Sequence, residues 1–173
     1  ASLTKILGTL PLVMQAFDEG KLSLSTTVAE LLPDWSGSNK SDLSLKQMLS
    51  HYARLWPWIP FYKETLNRKG YPKKTMYRKE ASKEFNLPVA KNLFLASDFE
   101  EEMYTQIRES ELIDSLQYKY SDLPYYLLKK YFENKSGIPY DQLVKQTVFD
   151  PLGLKKIGFK PLDRFEASQI VSS

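Results

Sequence analysis

The chain has 173 residues, a net charge of +3 at pH 7 and an apolar fraction of 42%, which is the composition of one ordinary globular domain. It has no cysteine and a single histidine, so we expect no disulfide, no metal site and no cofactor. No run of eighteen apolar residues occurs, so we expect no membrane span.

The first predicted helix starts with the chain itself. Apolar residues follow Lys5 at helical spacing, and Gly20 stands where a helix commonly ends. We expect the buried stripe of this helix to consist of Ile6, Leu7, Leu10, Val13, Met14 and Phe17. A second, short helix is predicted over 28–32, where Pro33 ends it.

The middle of the chain shows weaker patterns. Residues 56–61 form an aromatic, proline-rich loop, and residues 62 to about 95 have poor periodicity, which predicts an irregular insertion. Basic residues cluster between Lys63 and Lys83 with tyrosines among them. A nucleic-acid surface is one interpretation. Because no nucleic-acid-binding motif accompanies the cluster, we favour a solvated insertion and expect no nucleic-acid partner.

Three helices are predicted in the second half. They cover 99–108, 122–134 and 139–148, and a turn follows at 150–153. Acidic residues crowd the first turn of the first of these helices, and Gly137 stands just past the second.

The spacing of Ser2 and Lys5 indicates a possible chemistry. Residues three apart lie on one helix face, so an amine comes near a hydroxyl. A desolvated lysine can act as the base that activates a serine, and the helix N-terminus offers N–H groups to an oxyanion. An N-cap serine followed by an exposed lysine is the simpler interpretation from spacing alone.

Three blocks of the sequence together resemble one protein superfamily. They are ASLTKILGTLPLVMQAFDEGKLSLSTTVAELLPDW, LSLKQMLSHYARL and YKYSDLPYYLLKKYFENKSGIPYDQLVKQTVFDPLGLKKIGF. In this order they are similar to the serine β-lactamases and penicillin-binding proteins, within the class C-like branch that includes esterases and D-aminopeptidases. The pieces IPFYKE, YSDL and PLDRFEASQIV resemble, more narrowly, a β-lactamase-like module fused behind a glycoside hydrolase family 3 β-N-acetylhexosaminidase in Bacteroidetes-type proteins.

The resemblance implies roles for four residues. Ser2 would be the acylated nucleophile, Lys5 its general base, and Tyr120 the tyrosine of the Y-x-N motif, which relays the proton and protonates the leaving group. The third motif position is Asp122 here instead of Asn. Because an ionised aspartate only accepts hydrogen bonds, Asp122 puts recognition of a penicillin-type amide in doubt. It could instead steady Lys5 or cap a helix.

Three further features have open interpretations. His51 is the only histidine and matches a family histidine that is usually structural, so we expect no catalytic role for it. Arg54 stands where the family has glycine, which predicts a loop of different shape. The aromatic residues Trp56, Trp58, Phe61 and Tyr62 could line a substrate groove, but we favour packing of the insertion onto the core.

The implied fold is the α/β β-lactamase/transpeptidase-like fold. Its central antiparallel sheet is built from strands before the Ser2 helix and after the PLG segment, so we expect most flanking strands to be missing from this chain. We therefore predict a single partial domain over 1–173, mainly α, consisting of the nucleophile helix and a helical subdomain. The third family motif, K-T-G or H-x-G, would lie beyond residue 173. Loss of one oxyanion donor typically costs ~10²–10³ in rate, so we expect low activity from this chain by itself.

Two functions remain open from sequence. One is a serine hydrolase that forms an acyl-enzyme on an ester, an amide or a peptidoglycan-derived substrate, in a bacterial periplasm or cell envelope, with a fused glycoside hydrolase domain as a possible partner. The other is a degenerate, non-catalytic module that binds or positions a partner. Asp122 and Arg54 favour the second.

Overall fold

The structure is a computed structural model that describes residues 2–171. Seven α-helices and three short strands follow one another in the described part of the chain: α1 (Leu10–Asp18), α2 (Val28–Leu31), α3 (Leu45–Leu49), α4 (Tyr62–Thr65), β1 (Tyr77–Arg78), β2 (Leu87–Ala90), β3 (Leu93–Leu95), α5 (Phe99–Glu109), α6 (Leu123–Ser136) and α7 (Tyr140–Val144). A π-helical turn, Lys5–Thr9, leads into α1, and a second one, Lys145–Phe149, continues α7.

The N-terminal helix, which is the turn Lys5–Thr9 with α1, turns a different face to the core than predicted. Val13 is buried and Phe17 is partly buried, as expected. The remaining members of the predicted stripe are exposed: Ile6, Leu7, Leu10 and Met14. The buried face instead consists of Gly8, Thr9, Leu12, Val13 and Ala16. Because the helix is apolar on two sides, spacing alone could not identify the side that meets the other helices.

Local signals in the sequence fix several helix ends. Thr27 and Glu30 form a capping box at α2, and Ser44 and Gln47 form one at α3, so each helix start has its backbone N–H groups paired. α6 ends at Gly137, whose φ of +72° is the left-handed conformation that glycine adopts without strain. The predictions of α5 and α6 are thereby confirmed, while the predicted helix over 139–148 is α7 with its π-helical continuation.

The segment 62–95 is more ordered than its periodicity indicated. Its three strands form an antiparallel sheet in the order β1–β3–β2, with Leu87 opposite Leu95 and a register shift between Pro88 and Ala90. Only Leu95 of the three strands is buried. The strands are too short and too exposed to show an alternating apolar pattern, which explains why sequence analysis missed them.

One core connects the helices. Its fully buried apolar side chains come from the N-terminal helix, α2, α3, the loop after α3, α5, α6 and α7: Val13, Val28, Leu45, Met48, Leu55, Ile107, Leu123, Leu127, Leu128 and Val144. The N-terminal helix lies close to α7 at Gly8, where an added Cβ would lie 2.8 Å from the Tyr140 hydroxyl. Thr9 Oγ1 lies 2.7 Å from the same hydroxyl, so this contact holds the position of the helix in the fold.

Lys40, in the loop between α2 and α3, is fully buried. Its Nζ donates to Oδ1 of Asn39 at 2.7 Å and to the carbonyl oxygens of Arg108 at 3.1 Å and Ser110 at 2.5 Å. Three acceptors match the three N–H groups of an ammonium. Lys40 thus fastens this loop to the C-terminal end of α5, while burial lowers its pKa to about 8.

We expect Lys40→Met to destabilise the fold by about 2 kcal/mol at pH 7, because the carbonyl oxygens of Arg108 and Ser110 lose a charged donor. Urea unfolding would measure the change. Lys46→Met is the matched control, since Lys46 is exposed on α3 and its replacement should change the free energy of unfolding by less than about 0.5 kcal/mol.

A comparison of wild type with Lys40→Met also tests the pKa of Lys40. The folded-state pKa of Lys40, about 8, lies below the ordinary value of 10.5. Between these pH values the unfolded chain binds a proton that the folded chain does not, so the Lys40 contribution to stability grows as pH rises. The difference in unfolding free energy between wild type and Lys40→Met should therefore widen from pH 8 to pH 10. A difference that narrows over this range would contradict the lowered pKa.

Candidate active site

The predicted site residues meet where the start of the N-terminal helix faces the start of α6. An open groove of about 680 Å³ begins here and continues along α6. Its walls are formed by Ser2, Thr4, Lys5, Thr9, Asp122, Tyr125, Tyr126, Lys129, Glu133, Pro139, Tyr140, Asp141, Phe159 and Lys160. The ends of two helices distant in sequence thus place a hydroxyl, an amine and a carboxylate in one cavity.

Ser2 and Tyr120 are in direct contact. The Tyr120 hydroxyl lies 3.2 Å from Ser2 Oγ, and both side chains are exposed. This distance is long for a bond between two hydroxyl groups. Catalytic hydrogen bonds often lengthen in unliganded sites and tighten when substrate binds, so the geometry is compatible with proton transfer between these two groups.

Lys5 points its amine toward Asp122. Nζ lies 2.5 Å from Oδ1 of Asp122, and only 14% of the Lys5 side chain is exposed. The same Nζ lies 5.4 Å from the ring centre of Tyr120 and 5.1 Å from that of Tyr125. Among the described residues, the buried Oδ1 of Asp122 accepts no well-aligned hydrogen bond, so its contact with Lys5 is a close ion pair.

This environment keeps Lys5 charged. Burial by itself lowers the pKa of Lys5, but the contacts with Asp122 and then with Tyr120 outweigh it and raise the pKa above its ordinary value. At neutral pH the side chain is therefore an ammonium, which can stabilise negative charge. It can accept a proton from Ser2 only after it has lost its own.

Backbone contacts from the loop 51–57 hold Tyr120 and Asp122 in place. The Ser121 hydroxyl donates to the Trp56 carbonyl at 2.6 Å, and the Asp122 N–H donates to the Pro57 carbonyl at 2.8 Å. Ser121 Oγ also accepts the Leu123 N–H at 3.1 Å, which starts α6. Sequence analysis did not single out Ser121 or Tyr125. The only signal for either was its position beside the matched tyrosine motif.

Arg54 has a left-handed backbone conformation, which favours glycine. Its φ is +58°, and the chain is fixed there by two bonds with Ile113: Arg54 Nε donates to the Ile113 carbonyl at 2.6 Å, and the Ile113 N–H donates to the Arg54 carbonyl at 2.8 Å. A left-handed residue therefore stands at this position, and side-chain bonding offsets the strain that a non-glycine residue carries.

The aromatic loop packs less than we expected. Phe61 is buried, with 7% of its surface exposed, whereas Trp56, Trp58 and Tyr62 are each at least half exposed. The prediction of packing is correct for Phe61 and wrong for the other three. The Phe61 ring belongs to the core cluster and lies 5.7 Å from the Tyr126 ring of α6, so Phe61 attaches the loop to the core.

A search for known relatives identifies the family. The model of the family described as Beta-lactamase matches residues 1–169, which is nearly the whole chain. The chain therefore belongs to the beta-lactamase family, within the superfamily of serine β-lactamases and penicillin-binding proteins.

Curated relatives are longer than this chain. A protein of Salmonella agona named "Putative D-alanyl-D-alanine carboxypeptidase" is 26% identical over 180 residues, which cover 100% of this chain and 36% of that protein. The corresponding protein of Salmonella typhimurium is 27% identical with the same coverage. The chain thus spans about a third of the length of these relatives.

Solved structures show the same fold. The class C β-lactamase of Rhodobacter sphaeroides superposes with a TM-score of 0.60 and 20% identity, over 95% of this chain and 38% of that one. EstCE1, described as a hydrolase with promiscuous acyltransferase activity, superposes with a TM-score of 0.57 and 23% identity, over 92% of this chain and 38% of that one. The chain thus has the fold of part of a β-lactamase-like domain.

The described residues form neither a membrane-spanning helix nor a cluster of metal ligands. Among residues 2–171, no helix combines the length and the apolar character needed to cross a membrane. Within the same range, no three histidine or acidic side chains cluster in a way that could hold a metal ion.

We expect Asp122→Asn to lower the pKa of Lys5 from its raised value, because Tyr120 would then oppose the effect of burial without the carboxylate. Titration of the Lys5 side-chain nitrogen by NMR would measure this directly. Asp150→Asn is the matched control, since Asp150 pairs with Lys145 at 2.7 Å outside the groove. A Lys5 pKa that is unchanged in Asp122→Asn would show that the ion pair does not set its charge.

Proposed function

We propose that the full-length protein is a serine hydrolase that forms an acyl-enzyme on Ser2. The observation that carries this proposal is the contact of the Tyr120 hydroxyl with Ser2 Oγ at 3.2 Å. Ser2 also lines the groove that holds Lys5. Membership of the beta-lactamase family supports the same reaction class. A nucleophile, a proton relay and a cationic group are the components that acyl transfer requires.

The reaction begins with attack of Ser2 Oγ on the carbonyl carbon of an ester or amide. Tyr120, whose oxygen contacts Oγ, accepts the Ser2 proton in its phenolate form, and the Lys5 ammonium stabilises the negative charge of that phenolate. N–H groups at the start of the N-terminal helix stabilise the oxyanion. Collapse of the tetrahedral intermediate breaks the bond to the leaving group, which takes its proton from Tyr120, and water then hydrolyses the acyl-enzyme.

Lys5 takes the role of general base only when it is neutral. Because Asp122 raises its pKa, the neutral form becomes populated only at a higher pH than for an ordinary lysine. The proposed enzyme therefore has two routes for the Ser2 proton. The Tyr120 route is available with Lys5 charged, and the Lys5 route opens under alkaline conditions.

Peptidoglycan-derived peptides and acylated muropeptides are the substrates that we propose. The names of the Salmonella relatives support this class. We further propose a periplasmic or cell-envelope location in bacteria, and a fused family 3 glycoside hydrolase that rests on the resemblance of IPFYKE, YSDL and PLDRFEASQIV alone.

A non-catalytic module is the second candidate, and one observation favours it. The ion pair of Lys5 with Asp122 holds the amine as an ammonium and turns it toward a carboxylate. A site in which the lysine never deprotonates and the tyrosine never transfers a proton would keep the fold and the groove without turnover. Covalent labelling separates this candidate from the enzyme.

We expect Ser2→Ala to abolish hydrolysis of a small activated ester and labelling by a fluorophosphonate, a loss of about 10³-fold or more. Lys5→Ala should cost nearly as much, because residues that act as a unit are not additive. Both would be measured on the full-length protein with circular dichroism as the check on folding. Ser25→Ala, an exposed hydroxyl outside the groove, is the matched control and should behave as wild type.

The result that refutes the nucleophile is ester hydrolysis retained by Ser2→Ala. Absence of labelling in the folded wild type, with an intact Ser2 contact, would instead favour the non-catalytic module.

Penicillin should acylate the wild-type protein weakly, because the Asp122 carboxylate faces the carboxylate and the amide carbonyl of the antibiotic. We expect Asp122→Asn to increase acylation by a fluorescent penicillin about tenfold, which corresponds to about 1.4 kcal/mol. Gel fluorescence over time would measure the rate, with Asp150→Asn as the control. Equal labelling of wild type and Asp122→Asn would show that the side chain at position 122 does not take part in substrate recognition.

A further inference from the structure

His51 makes its polar side-chain contact with the backbone of the tyrosine motif. Nδ1 accepts the Ser121 N–H at 3.2 Å. A ring nitrogen that accepts carries no proton, so this bond assigns the neutral tautomer with hydrogen on Nε2. The His51 side chain thereby holds the backbone of Ser121, the residue that directly follows Tyr120.

The backbone of His51 is tied to the same segment. Its carbonyl accepts the Lys119 N–H at 2.9 Å, and its φ of +62° is a left-handed conformation that non-glycine residues rarely adopt. Such a conformation persists only where surrounding contacts hold it. Bonds at Lys119 and Ser121 supply those contacts on either side of Tyr120.

The imidazole ring also supports the Tyr120 ring. Their centres lie 4.6 Å apart at an interplanar angle of 40°, and the rings of Tyr118 and Tyr125 lie 5.9 Å and 6.2 Å from the imidazole. Aromatic rings at these separations attract one another. Since Tyr120 is 42% exposed, the imidazole is a principal contact that defines the direction of its hydroxyl.

We propose that His51 is a positioning residue that directs the Tyr120 hydroxyl toward Ser2. This inference rests on the proposed function, because it assigns the residue that orients the proton relay. Neighbouring bonds at Trp56 and Pro57 fix Ser121 Oγ and the Asp122 N–H. The Ser121 N–H bonds to His51, whose ring also lies against that of Tyr120.

The arrangement is sensitive to acid. A second proton on His51 would go to Nδ1. The Nδ1–H and the Ser121 N–H would then face each other as two donors, and their hydrogen bond would be lost. Burial, and next the Lys5 charge, lower the pKa of His51 below 6.5, with Asp122 opposing them. The charged and titratable groups that face the ring are therefore Lys5 and Asp122, and the three tyrosines 118, 120 and 125.

The test compares His51→Gly with His51→Asn in the full-length protein. Glycine adopts a positive φ without strain and removes both the acceptor and the ring. Asparagine tolerates a positive φ and keeps an acceptor close to the position of Nδ1. We expect kcat for ester hydrolysis to fall about 30-fold in His51→Gly with KM changed less than about threefold, and His51→Asn to recover most of the loss, since a positioning error costs up to about 10²-fold.

The pH profile gives an independent kinetic readout. Wild-type kcat should decline below pH 6.5, and this acid limb should be absent from His51→Asn, whose side chain does not titrate. A wild-type kcat retained by His51→Gly, or an acid limb retained by His51→Asn, would overturn the proposal. So would an equal loss in both variants, because it would show that the acceptor is not what matters.

Two measurements that do not depend on catalytic turnover keep this inference separate from the proposed function. Nitrogen-15 NMR at pH 8 should show Nδ1 of His51 without a proton, and hydrogen exchange at the Ser121 amide should be slow in wild type and in His51→Asn but faster in His51→Gly. A protonated Nδ1, or equal exchange in all three proteins, would overturn the positioning role. If these readouts hold and no ester is hydrolysed, the hydrolase assignment fails while the positioning of Tyr120 stands.

Discussion

The candidate site depends on the ion pair that joins Lys5 to Asp122 at 2.5 Å. This pair links the start of the N-terminal helix to the start of α6, which are far apart in sequence. It also decides the protonation of Lys5, because the carboxylate overcomes the effect of burial. One contact thereby fixes both the geometry of the groove and the charge available in it.

A second constraint comes from the loop 51–57. This loop contains two non-glycine residues with positive φ, His51 and Arg54, and each is tied to the segment that precedes α6. Left-handed residues cost free energy, so their presence here indicates that the surrounding bonds specify the loop closely. As a result, the loop supports Tyr120, which is the only tyrosine that contacts Ser2 among the described hydrogen bonds.

These two constraints explain how the site can serve the proposed acyl transfer with Asp122 in the position where the family motif has asparagine. In a site with a neutral amide at position 122, burial would lower the pKa of Lys5 and favour its use as a base. With Asp122 the ammonium form is favoured, and in the proposed reaction the phenolate form of Tyr120, whose oxygen contacts Ser2 Oγ, accepts the Ser2 proton. Under the proposed function, the identity of this single residue therefore selects between two routes for the same proton.

Sequence by itself determined the helices with strong local signals, namely α5, α6 with Gly137 after it, and α2 with its capping box, since these depend on neighbours a few residues apart. It also determined the family, because the blocks around Ser2 and Tyr120 match in order. Tertiary structure alone decided which side of the N-terminal helix is buried, that three short strands lie within 62–95, and that Lys5 pairs with Asp122. The physical reason is that these outcomes depend on contacts between segments distant in sequence, where burial and charge are set by neighbours that no local pattern records.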